Sequence, residues 1–161
     1  MVVVDSSALI PLARAGQLDL VTAVFDACHV TEEIVTEVVV EGKRGSSALK
    51  AFIEGCEIHG IPDDAAQVAE LEGITSADAS VILIAQSRGD ILLANDKGLI
   101  EVARSVDVDV WWVTTLLLNA RKDGVIDTDE AIEILQDLVD EGMNLHPKVY
   151  SLVHTALQDF E

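Results

Sequence analysis

Positive charge is what this chain has least of. Ten lysines and arginines stand against 29 aspartates and glutamates, giving a formal net charge of -19 and a sequence pI of about 4.2. A nucleic-acid-binding surface normally carries the opposite sign. The balance therefore excludes a polyanionic partner unless the protein works in brine, where the Debye length shrinks to about 3 Å at 1 M salt. High net charge also keeps halophilic proteins soluble. The scarcity of lysine fits that habit, so the composition reads as that of a salt-loving host.

Cysteine is nearly missing as well. Cys28 and Cys56 form neither a C-x-x-C pair nor a metal-ligand spacing, which excludes a disulfide scaffold or a zinc knuckle and leaves two buried free thiols. The histidines, His29, His59, His146 and His154, likewise show no metal-ligand spacing, and a structural role is expected of each. There is no Gly-rich phosphate loop and no G-x-S-x-G elbow. No apolar run approaches the roughly 18 to 20 residues of a membrane span. Val2-Val3-Val4 lacks a basic leader and is cut short by Asp5, so no signal peptide and no membrane contact are expected, and the cytoplasm is the expected location.

What is present is a core. Half of the 161 residues are hydrophobic and the mean hydropathy is +0.35, which suits one compact domain burying about two-thirds of its unfolded surface. Met1 to Val4 reads as a fully buried strand, followed by helical patterns at Ser7 to Ala15 and Leu18 to Phe25. Cys28 to Val30 is a second strand, Glu32 to Glu41 a third helix, and Gly42 and Gly45 bracket Lys43-Arg44 in a turn. A helix over Ser46 to Ile53 precedes a third strand at Cys56 to His59, and Pro62-Asp63-Asp64 starts a helix running to Glu72. Thr75-Ser76-Ala77-Asp78 carries a helix-start signature, so Ala77 to Arg88 is a helix. Ile91 to Ala94 and Val110 to Val113 are the last two strands, with a helix over Lys97 to Val106 between them. Helices then follow at Thr114 to Lys122, Thr128 to Glu141 and Pro147 to Phe160. Strands alternating with helices imply a parallel sheet with right-handed crossovers. The expected architecture is α/β: a three-layer α/β/α domain over residues 1–161, with a core at 1–118 and a helical C-terminal extension at 119–161.

Within this pattern four carboxylates stand out: Asp5, Glu37, Asp78 and Asp96. Each has a plain alternative. Asp5 and Asp96 suit helix N-caps, Asp78 the third position of a capping box, and Glu37 a solvated helix face. Their placement argues for more. In a five-stranded sheet ordered 3-2-1-4-5, Asp5 and Asp96 end neighbouring strands at the switch point, where ligands of open α/β sheets bind. Glu37 and Asp78 sit on helices able to border the same edge. Convergent carboxylates without His or Cys partners suit a hard divalent cation, which would offset their mutual repulsion.

These motifs resemble those of the PIN-domain nucleases, which include VapC-type toxins of prokaryotic toxin–antitoxin pairs. Val-Val-Val-Asp5-Ser6-Ser7-Ala-Leu-Ile looks like the family's opening strand and acid, Thr36-Glu37-Val38 like the acid on its third helix, Ser76-Ala77-Asp78-Ala79 like its central acid, and Leu93-Ala94-Asn95-Asp96-Lys97-Gly98-Leu99 like the acid after its fourth strand. Glu32, Glu33 and Glu41 compete with Glu37 for the second acid. The tail Gly142 to Tyr150 looks like the C-terminal helix of one subgroup. The resemblance implies a Mg²⁺- or Mn²⁺-dependent ribonuclease cutting phosphodiester bonds of single-stranded RNA, with Asp5, Glu37, Asp78 and Asp96 holding the metal. Asp5 and Asp96 are expected as direct ligands, Glu37 and Asp78 as completing the shell or orienting water, and Ser6, Ser7 or Asn95 as auxiliary groups. It further implies a homodimer, an antitoxin partner and a possible role as toxin.

The alternative is a catalytically inactive PIN-like module that binds RNA or protein. A phosphoryl-accepting receiver would need two adjacent acids after the first strand and a Lys after the fifth, where this chain has Asp5 alone and Thr114-Thr115. Candidate RNA contacts are Lys43, Arg44 and Lys97, among the few other cations Lys50, Arg88 and Arg104. Leu116 to Leu118 and the helices after Thr128 are candidates for a dimer face, although core packing is their expected use.

The charge balance makes a direct prediction. The thermal midpoint of the purified protein rises steadily from dilute buffer to molar KCl as acid–acid repulsion is screened. A midpoint that is flat or falls across that titration contradicts the halophilic reading.

Overall fold

A computed structural model describes residues 1–160. Three consecutive valines, β1 (Val2–Val4), are wholly buried, because β1 is the central strand of the sheet and is covered on both faces. To one side lie β2 (Cys28–Thr31) and the edge strand β3 (Glu57–His59); to the other lie β4 (Ile91–Leu93) and β5 (Val110–Trp111). The order is β3-β2-β1-β4-β5 and every pairing is parallel. One ladder level joins Glu57, His29, Val3, Leu92 and Val110. Paired residues of a parallel sheet point to the same face.

The connections are helical. They comprise α1 (Ser6–Arg14), α2 (Asp19–Val24), α3 (Glu32–Val38), α4 (Ser46–Glu54), α5 (Ala65–Glu72), α6 (Ser76–Arg88) and α7 (Lys97–Ser105). Helix α6 packs on β2, β1 and β4, whereas α1, α3 and α4 pack on one another, giving the three-layer α/β/α arrangement. As the return half of a crossover, α6 runs against the strands. Its first turn lies at their carboxyl ends and its last turn at their amino ends.

The tail comprises α8 (Val113–Lys122), α9 (Thr128–Asp140) and α10 (Pro147–Gln158). It joins the same apolar core: Leu116, Leu117, Ala131, Leu135, Leu138 and Leu157 are buried with the valines of β1. Leu116 and Leu117 are thus core residues, as their pattern suggested.

Most element boundaries shift by one or two residues from expectation, and two of the differences have a plain physical cause. Helix α3 stops at Val38 rather than Glu41, because Val38-Val39-Val40 is stiff at every χ1 and Gly42 follows with φ of 79°. The fifth strand is Val110–Trp111 rather than Val110 to Val113, since Trp112 serves as the N-cap of α8 and Val113 is already helical.

Candidate functional site

Asp5 follows β1 directly and caps α1. Its Oδ2 accepts from the Ser7 N–H at 3.1 Å and from the Ser7 hydroxyl at 2.5 Å. The same hydroxyl oxygen accepts the Asn95 backbone N–H at 2.8 Å, and the Asp5 N–H donates to the Leu93 carbonyl at 2.9 Å. The turn after β1 is thereby sewn to the turn after β4. Of the two serines beside Asp5, Ser7 makes these bonds.

Asp96 caps α7, its Oδ1 accepting from the Leu99 N–H at 3.1 Å. Asp78 sits in the first turn of α6, where the Thr75 hydroxyl accepts its N–H at 3.1 Å. The sequence therefore folds locally by ordinary capping, and that capping presents three acids at the carboxyl edge of the sheet. Glu37 lies exposed on the last turn of α3. Glu33, one turn earlier on the same face, is engaged by the buried Ser80 hydroxyl at 2.8 Å, which also reaches the Ser76 carbonyl.

Charge links Asp78 to Asp5, Asp96 and Glu37, although among the described residues no three of the four carboxylates bring ligand oxygens within 4.8 Å of one another. Asp78 is pushed up to about 6, first by burial and then by the charges of Asp5, Asp96 and Glu37, with the Thr75 bond opposing. Asp5, 5% exposed, is also raised. Burial dominates there, Glu37 adds to it, and the Ser7 hydrogen bonds pull the other way. The charge that reaches both Asp5 and Asp78 from α3 is that of Glu37, which separates it from Glu32, Glu33 and Glu41. An all-carboxylate donor set under mutual repulsion fits an oxygen-preferring divalent cation.

The candidate basic contacts are dispersed. Arg44 is ion-paired to Glu141, Lys97 lies 3.9 Å from Glu101 one helical turn on, and Lys43 is exposed in the turn after α3. Beside the Ser7–Asn95 link opens a pocket of about 200 Å³ lined by Ser7, Arg14, Asn95, Glu141, Met143 and Asn144. The Asn95 side chain donates to the Asn144 carbonyl at 3.3 Å, tying this pocket to the segment before α10.

Two of the histidines meet in the fold: parallel pairing of β2 with β3 brings His29, His59 and Glu57 together, a juxtaposition that linear spacing does not display. Alternation within β3, which puts Glu57 and His59 on one face, was the available signal, and it carries meaning only once β2 is known to lie alongside.

Two predictions follow from this geometry. The pKa of Asp78 is raised from an unfolded value near 3.9, so folding favours its protonated form and stability declines as pH rises from about 4 through about 6. Asp78→Asn, which removes the charge, therefore raises the melting temperature of EDTA-treated protein above pH 6 and leaves it unchanged near pH 4; equal shifts at both pH values would refute the assignment. Ser7→Ala strips a donor from Asp5 and the acceptor of the Asn95 N–H, and urea titration should show a loss of about 1 to 3 kcal/mol. A loss well below that would mean water replaces both bonds.

The comparisons with known proteins bear on the family and the fold. A family model described as DUF3368, PIN domain, matches residues 1–159. Among solved structures, PAE2754 from Pyrobaculum aerophilum superposes with a TM-score of 0.57 at 23% identity, over 73% of this chain and 93% of that one. A PilT N-terminus domain protein, SSO1118, from the hyperthermophilic archaeon Sulfolobus solfataricus P2 gives 0.53 at 16% identity, over 74% and 92%. At these identities the structures speak for the fold. No curated protein matches. With a matching model that runs from the first strand through the last helix, the chain belongs to the PIN-domain family.

Proposed function

We propose that the protein is a Mg²⁺- or Mn²⁺-dependent ribonuclease that hydrolyses phosphodiester bonds of single-stranded RNA. Asp5, Glu37, Asp78 and Asp96 are its metal-holding acids. The observation carrying this reading is that the charges of Asp5, Asp96 and Glu37 all reach Asp78 and hold on to its proton. Family membership supplies the nuclease-type fold; the acids supply the chemistry. Divalent ions bound there would generate a hydroxide nucleophile at neutral pH and neutralise charge on the departing oxygen.

The chain's own residues divide the work. Asp5 has its carboxylate fixed by two bonds from Ser7, so it presents the other oxygen in a preset orientation as a direct ligand. Asp96 keeps one oxygen beyond its cap bond and is the second direct ligand. Mg²⁺ keeps several waters and takes one or two carboxylates directly. Asp78 and the exposed Glu37 therefore act through water, Asp78 with its proton affinity raised to about 6. Asn95 spaces the two direct ligands through its bond to Ser7. Lys43 and Lys97 are the proposed phosphate contacts, with Arg44 available only by breaking its pair with Glu141. A homodimer, an antitoxin that blocks the site, a toxin's role and a cytoplasmic setting complete the proposal.

Purified protein in molar salt with Mn²⁺ or Mg²⁺ should cleave single-stranded RNA, and EDTA should abolish cleavage. Asp5→Asn and Asp96→Asn should each lower the rate by at least about a hundredfold, the scale on which positioned acids contribute, with circular dichroism unchanged. Undiminished cutting by both variants would place the chemistry elsewhere. Tight RNA binding without cleavage across all metals would favour the inactive-module reading.

A further inference from the structure

We propose that His29, His59 and Glu57 form a second metal site, for a borderline divalent cation such as Zn²⁺, that clips the edge strand β3 to β2. The register creates it. His29 pairs with Glu57, and His59 follows two residues later on the same face of β3. His29 Nδ1 lies 2.9 Å from His59 Nε2 and 3.4 Å from Glu57 Oε2. One ligand atom from each of the three fits within 4.8 Å of the others.

These separations suit a four-coordinate ion. With metal–nitrogen and metal–oxygen bonds of about 2.0 to 2.1 Å, neighbouring ligand atoms of a tetrahedron lie about 3.3 to 3.4 Å apart. The His–Glu distance already matches, and the two imidazoles need to part by only about 0.4 Å. Two imidazoles and one carboxylate select a borderline cation over Mg²⁺. The Glu57 side chain is 64% exposed, so the fourth position opens to solvent.

A second observation points the same way. His29 is 3% exposed, and its Nε2 is the buried side-chain nitrogen or oxygen left without a hydrogen-bond partner among the described residues. A buried unpaired ring nitrogen carries a desolvation penalty. It faces Asp90 Oδ2 at 4.0 Å, and Arg88 holds that carboxylate at 2.8 Å. Metal-bound histidines characteristically donate their other ring N–H to a carboxylate, which fixes the tautomer. With Nδ1 on the cation, Nε2 must carry the proton, and Asp90 stands ready to accept it. The groups whose charges reach His29 are Arg88, His59, Glu57 and Asp90, none of them from the four-acid site. The three-residue cluster includes none of the four acids.

The test uses Co²⁺ as probe on the full-length protein, stripped with EDTA and dialysed. Tetrahedral or five-coordinate Co²⁺ gives intense visible bands, whereas an all-oxygen octahedral site gives weak ones. Wild type and Asp5→Asn/Asp96→Asn should both develop the intense bands, saturating at one equivalent. His59→Gln and Glu57→Gln, each on the sheet edge, should weaken that binding at least about tenfold. Zn²⁺ should raise the melting temperature of wild type and of Asp5→Asn/Asp96→Asn but not of His59→Gln. Absence of intense bands in wild type, their survival in both edge variants, or their loss in Asp5→Asn/Asp96→Asn would each overturn the proposal. The first of these results would leave a His–His hydrogen bond as the whole content of the cluster.

Discussion

The carboxyl edge of the sheet depends on one hydroxyl. Ser7 donates to Asp5 and accepts from the Asn95 backbone, so its oxygen bridges the turns after β1 and β4 beyond the Asp5 N–H bond to the Leu93 carbonyl. Parallel strands hold their ends level, but nothing in a ladder fixes the loops beyond it. Here that is done by a charge-assisted bond, of the kind worth roughly twice a neutral one. Asp5 stays oriented although it is buried, and although burial and Glu37 both favour its protonated form.

Under the proposed function, capping and chemistry are one arrangement. Asp5 and Asp96 cap α1 and α7 through one carboxylate oxygen each. A helix N-terminus carries partial positive charge, which stabilises an anion there. Two of the four acids are thus steadied by the helices they start, while Asp78, held by backbone capping from Thr75, takes up the remaining strain as a raised pKa. The plain reading of these residues and the functional one describe different oxygens of the same side chains.

This explains what was legible in the sequence. Buried parallel strands read as uninterrupted apolar runs, so β1 and β4 were visible, and with them the acids that end each run. Asp78 was visible as the third residue of a capping box. The motif around Glu37 singled it out in the sequence but left Glu33 as a competitor, because both lie on one face of α3; in the fold Glu33 is engaged by Ser80 on α6. The end of β5 was obscured because Trp112 and Val113 have strand propensity while serving α8. His29 with His59 was opaque for a different reason: 30 residues divide them, and the contact exists only through the β2–β3 register.

The charge balance then acquires a structural meaning. Several of the few cations are already engaged: Arg44 with Glu141, Arg88 with Asp90, and Arg121 with Thr128 and the Phe160 carbonyl. Arginine side chains thus pin the tail and the last turn of α6 and leave little positive surface for a phosphate backbone. Under the proposed function, a polyanion approaching this molecule would find its compensating charge in bound divalent ions and in salt from solution. Affinity for a nucleic acid that rests on few Lys and Arg contacts releases few counterions, and so it weakens only gently as salt rises. An acidic surface of this kind gives up tight binding in dilute buffer and retains what binding it has in concentrated salt, where a basic surface would lose its own.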